Sequence, residues 1–148
     1  MAIAFAALEH CTFKLPQKLL RKKWLQNIVQ AEGNFKIGEL NYIFCTDEEL
    51  LEVNKEHLNH DYYTDIITFD MAEYDDEIAG DIYVSIDRII DHAQSLGEGF
   101  ERELSRVLAH GVLHLCGYDD KAEAEIPKMR AAEERAISLW QEMIAQKS

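Results

Sequence analysis

The segment Leu108-Ala109-His110-Gly111-Val112-Leu113-His114-Leu115-Cys116-Gly117-Tyr118-Asp119-Asp120 decides how the rest of the chain is read. Two histidines four residues apart project from one face of a helix, about one turn from each other. Gly117 follows His114 by three residues and is the natural helix stop, because it takes a left-handed backbone at little cost. The chain can then double back and bring Asp120 toward both imidazoles. Two neutral nitrogens plus one carboxylate, with a fourth position open to water, suit one catalytic Zn²⁺ or another transition metal. His110, His114 and Asp120 are therefore the expected metal and catalytic residues, with Asp119 the alternative third ligand. Leu108, Val112, Leu113 and Leu115 predict a largely buried helix, and a buried His needs a partner.

The spacing H-x-x-x-H-x-x-G-x-x-D is similar to the metzincin layout H-E-x-x-H-x-x-G-x-x-H. Gly111 stands where the protease has its Glu. That Glu takes the proton from the metal's water, and Gly cannot, so a metalloprotease is the weaker reading. Gly111 is expected to let backbone or substrate come close to the metal.

The same stretch resembles the signature H-G-x-L-H-L-x-G-Y-D-H of the YbeY family of bacterial rRNA maturation factors. The resemblance runs over most of the chain: Thr64-Asp65-Ile66-Ile67-Thr68-Phe69 resembles the family's T-D-V-L-S-F, Gly80-Asp81-Ile82 its G-D-I, and Glu103 its acidic residue before the His helix. It implies a metal-dependent endoribonuclease that cuts single-stranded RNA in rRNA maturation and ribosome quality control. It also implies precursor rRNA and a ribosome or ribosomal protein as partners. Two positions depart from the pattern. The family's third ligand, a His, is Asp120 here, and its basic residue falls in Glu56-His57-Leu58-Asn59, on Leu58. The alternative that these departures suggest is a non-catalytic, metal-bound ribosome assembly factor.

The chain has 148 residues and a net charge of −13, with 47% apolar and 29% charged residues. This predicts one globular domain spanning 1–148. The acidity argues against a protein that grips nucleic acid over its whole surface, though not against a local basic face. Cys11, Cys45 and Cys116 are far apart and odd in number, which predicts reduced thiols in a cytoplasmic protein rather than a disulfide framework. Cys116, two residues past His114, points to another helix face and is not expected as a ligand. No targeting segment or bilayer-spanning run is apparent, so no membrane role is expected.

Ile3, Phe5 and Ala7 alternate with small residues and predict a first strand, with Thr12-Phe13 a candidate continuation. A helix is expected over 17–31, entered at Pro16. Its Lys18, Arg21, Lys22 and Lys23, read functionally, are RNA-backbone contacts; read plainly, they are a solvated face. A strand follows over 36–45. Thr46-Asp47-Glu48-Glu49 is a capping box opening a helix through Leu58. Strands over 66–71 and 78–86 should form a hairpin. Helices are expected from Ser85 to Gly97, over 100–116 and from Glu123 or Ala124 to Ala145, the last with Ile126, Met129, Ile137 and Trp140 facing inward. The fold class is α+β: a mixed sheet of about four strands and about five helices, the His helix central.

Further polar candidates are Asp65, which can orient a ligand imidazole, and Glu103, seven residues before His110 and on its face. The plain alternatives are a turn cap at Asp65, after Thr64, and a structural ion pair at Glu103. His57 or His60, near the missing basic residue, suits phosphate contact or proton transfer. Tyr62 and Tyr63 suit stacking on unpaired bases. His10 and His92 read as surface histidines.

Overall fold

The computed structural model describes residues 2–59 and 64–147. In chain order the elements are β1 (Ala2–Ala7), α1 (Lys18–Glu32), β2 (Lys36–Cys45), α2 (Asp47–Leu58), β3 (Ile66–Asp70), β4 (Glu77–Ser85), α3 (Ile86–Leu96), α4 (Phe100–Leu115) and α5 (Ile126–Lys147). The four strands form one mixed sheet in the order β1-β2-β4-β3. β1 and β4 run parallel to β2, and β3 pairs antiparallel with β4, as a hairpin requires. The fold is thus the expected α+β arrangement. No described helix is long and apolar enough to cross a membrane.

Strand alternation divides the sheet between two cores. Leu40, Tyr42 and Phe44 of β2 and Ile78, Ile82 and Val84 of β4 join the large core with Trp24, Leu108, Val112 and Trp140. The opposite face carries Ile67 and Cys45, covered by Leu50 of α2. Period two thus sends alternate side chains to different helices. β3 is a sheet edge, and Ile66 on its α4-facing side packs against the large core.

The helix ends follow local chemistry. The Thr46 hydroxyl accepts from the Glu49 N–H at 3.2 Å while Glu49 Oε1 accepts from the Thr46 N–H at 2.9 Å, closing the predicted capping box. Ser85 caps α3 in the same way, through the Arg88 N–H. α4 ends in a Schellman turn: Gly117, at φ 110°, donates to the His114 carbonyl, and Tyr118 N–H donates to that of Leu113.

Three expectations change. Thr12-Phe13 forms no strand; Phe13 instead packs its ring against Phe44 and Phe100. α1 is entered through Gln17 in a left-handed conformation with no side-chain cap. α5 begins at Ile126, because the preceding residues close a turn in which Glu125 N–H donates to Ala122. Ile126 is therefore 38% exposed rather than facing inward. Met129, Ile137 and Trp140 are buried as expected.

α4 is placed by two contacts with the sheet. The buried Tyr42 hydroxyl donates to the Leu108 carbonyl at 2.6 Å. At Gly111 a Cβ would meet Ile82 Cγ2 at 3.0 Å and Ile66 Cδ1 at 3.3 Å. The missing side chain therefore serves close helix-on-sheet packing, and the expected approach of substrate at Gly111 is corrected: isoleucines of β3 and β4 fill that space.

Candidate functional site

Gly111 against the sheet turns His110 and His114 toward an open cleft of about 740 Å³, bounded by α3, α4, β3 and the start of α5. His110 is partly buried and His114 is exposed at its side. The Schellman turn sends the chain back, so that Asp120 also lines the cleft and its Oδ2 stands 3.3 Å from His110 Nε2. Asp119 does not line it; its carboxylate accepts from the Lys121 N–H at 3.0 Å and shapes the return.

The other ring nitrogen of His110 is held by a residue that the sequence reading missed. Glu133, buried on α5, accepts from His110 Nδ1 at 2.8 Å. A carboxylate on Nδ1 fixes the tautomer and aims Nε2 outward, the arrangement found behind metal-ligating imidazoles. Burial alone would lower the His110 pKa, but the hydrogen bond and charge of Glu133, with Asp120 and Asp65 behind it, outweigh burial and raise it. The site thus favours positive charge at Nε2, which a proton or a metal ion can supply.

Arg106, one turn before His110, binds the surrounding acids. It contacts Glu103 at 3.2 Å, Glu98 and Glu134 at 3.5 Å, and Glu133 at 3.6 Å. Those four carboxylates raise its pKa against the opposing effect of burial. Glu103 is buried, and burial raises its pKa more than Arg106 lowers it. Both readings of Glu103 hold geometrically, since it makes an ion pair and lines the cleft. Asp65 lines it too, 4.0 Å from His92, which in turn lies 3.9 Å from Glu103. His92 is therefore a cleft residue, not a simple surface histidine.

Other candidates lie elsewhere. His57 is exposed, stands edge-on to Phe69 and does not line the cleft. His60, Tyr62 and Tyr63 lie outside the described residues. Leu58 is on the cleft rim, 40% exposed. Arg21 cannot contact an RNA backbone: it is wholly buried, 3.6 Å from the Trp140 ring centroid, and donates to Ser105 and Glu101. Its packing partners, not solvent, set its position. Lys18 and Lys23 are exposed, and Lys22 is partly so, but none of the three lines the cleft. Burial pushes the Cys116 thiol up to about 12, which disfavours the thiolate that ligation requires.

The donor chemistry fits a zinc-like ion. Two donors on one tetrahedral ion, each bonded at about 2.0–2.1 Å, stand roughly 3.3 Å apart, and His110 Nε2 and Asp120 Oδ2 have that separation. Among the described residues, no group of three or more His, Cys, Asp and Glu side chains is already arranged to hold an ion.

A family model described as "Endoribonuclease YbeY" matches residues 9–141. An Endoribonuclease YbeY from Cytophaga hutchinsonii is 50% identical over 131 residues, covering 88% of this chain and 91% of that protein. One from Parabacteroides distasonis is 41% identical over 142 residues, covering 96% and 98%. The solution structure of TM1509 from Thermotoga maritima superposes with a TM-score of 0.67 at 29% identity, covering 98% of this chain and 93% of that one.

Proposed function

Because the chain belongs to the Endoribonuclease YbeY family, we propose that it is a metal-dependent endoribonuclease that cuts single-stranded RNA. Its setting in this reading is rRNA maturation and ribosome quality control in the cytoplasm, with precursor rRNA and a ribosomal protein as partners. The observation that carries the reading is the His110 ring held between Glu133 on Nδ1 and Asp120 on Nε2.

His110, His114 and Asp120 would hold the ion. His114 completes the set by side-chain rotation, since it is exposed and one turn along the same helix face. A bound Zn²⁺ supplies positive charge that acidifies water toward a pKa of ~7 and offsets charge developing on a phosphoryl oxygen. Asp120 in place of a neutral ligand weakens that acidity, so another transition metal or slow turnover fits this chain.

The remaining chemistry belongs to the side chains. Glu133 keeps the His110 ring oriented, and Arg106 offsets the charge of Glu133 and Glu103. His92 stands inside the cleft between Asp65 and Glu103. Exposed Leu58, Leu96 and Ile126 give the cleft an apolar rim around this charged floor. Unstacked bases present apolar faces to such a rim, whereas a duplex hides them, which supports the single-strand preference.

The purified protein should cut a labelled single-stranded RNA, leave the matched duplex whole, and stop when a chelator is added. Leu58 and Asp120 keep the assembly-factor reading in view, and an intact single strand at every metal tested would favour it over the nuclease.

A further inference from the structure

Four carboxylates, Asp65, Glu103, Asp120 and Glu133, line the cleft of a chain whose net charge is −13. A polyanion entering such a space is repelled unless uncommitted cations meet it. Arg106 is not uncommitted, because four glutamates surround it. Arg130 and Lys121 differ. Both are exposed, both line the cleft, and neither forms an ion pair among the described residues.

Their placement follows from the chain. Ile126, Arg130 and Glu133 fall at i, i+4 and i+7 on α5, one helical face, and all three line the cleft. That face already delivers Glu133 to His110, so Arg130 stands about one turn from the same centre. The acids next along α5 are engaged elsewhere: Glu133 by His110 and Arg106, Glu134 by Arg102 and Arg106. Lys121 directly follows Asp120, whose carboxylate faces His110. Lys18, the first of the α1 cations, borders a separate small pocket with Phe5 and Phe13.

We propose that Arg130 and Lys121 grip the phosphate backbone of a single-stranded RNA in this cleft and hold it beside His110 and Asp120. The assignment rests on the nuclease reading above. Arg130 supplies a planar fork that matches phosphate oxygens, and Lys121 a compact charge.

The test is cleavage of a 12-nucleotide single-stranded RNA at a series of KCl concentrations, with kcat and KM determined separately. In Arg130→Ala/Lys121→Ala, KM should rise about tenfold while kcat stays within about twofold. The slope of log(kcat/KM) against log[KCl] should flatten by about 0.7 for each lost phosphate contact. Arg130→Lys should restore most of the slope, which a purely structural role would not predict. An unchanged slope in the double variant overturns the proposal and leaves the nuclease reading standing. So does a slope lost instead in a Lys18, Lys22 and Lys23 variant. A wild type that cuts no RNA overturns both.

Discussion

Glu133→Ala should reduce RNA cleavage by about 10- to 100-fold and weaken metal affinity by a similar factor, while the protein remains folded. Glu133 touches His110 on the side away from Asp120, so it acts through the imidazole, as a positioning residue. Without it the ring can rotate or take the other tautomer, and Nε2 is no longer aimed out of the helix. Arg106 keeps Glu98, Glu103 and Glu134 as partners, so its charge stays compensated and the core tolerates the change. Glu133→Gln should fall between wild type and alanine, because the amide oxygen still accepts from Nδ1–H but carries no charge. Metal titration beside the cleavage rates separates this account from simple destabilisation. Equal metal affinity in wild type and Glu133→Ala would remove Glu133 from the site.

Arg21→Ala should lower folding stability by about 2–4 kcal/mol through the cavity it opens between two indoles, which for a domain of this size corresponds to roughly 5–15 °C in Tm. Its guanidinium lies 3.6 Å from the Trp140 ring centroid and 4.9 Å from that of Trp24. It donates to Ser105 at 2.9 Å and to Glu101 at 2.9 Å, while its Nε has no partner. Burial pulls its pKa down to about 10 against the pull of Glu101, which still leaves it charged at neutral pH. The cation thus joins α1 to α4 and α5, with the Trp24 indole donating to Ala136 alongside it. Arg21→Met, apolar and of similar length, should cost much less, since it fills most of the space that alanine leaves empty. Thermal unfolding of the two variants checks the order. Alanine as stable as wild type would show that the sandwich contributes nothing.

These two residues also mark where sequence reading stopped. The His helix was legible because its stop and return are local: Gly117 and the residues flanking it encode the Schellman turn by themselves. The capping box at Thr46 and the β3–β4 hairpin were legible for the same reason. Glu133 was not, because it meets His110 across 23 residues of chain and stands beside Glu134 among the charged residues of α5. A signal was present: Glu133 sits between buried Ala132 and Ala136 and follows Met129 by one turn. Arg21 is masked by its basic neighbours, although it shares the i, i+3, i+4, i+7 stripe of Trp24, Leu25 and Ile28, all buried. Gly111 faces Ile82 rather than the metal site; spacing alone does not say which side of a helix meets the sheet.

In the proposed site His110, His114 and Asp120 share one ion. Elemental analysis of the purified protein, wild type beside His114→Ala, tests it most directly. Wild type should carry about one transition-metal ion per chain and the variant little, with both equally folded. A wild type free of metal, or a His114→Ala protein that retains the full complement, would contradict it.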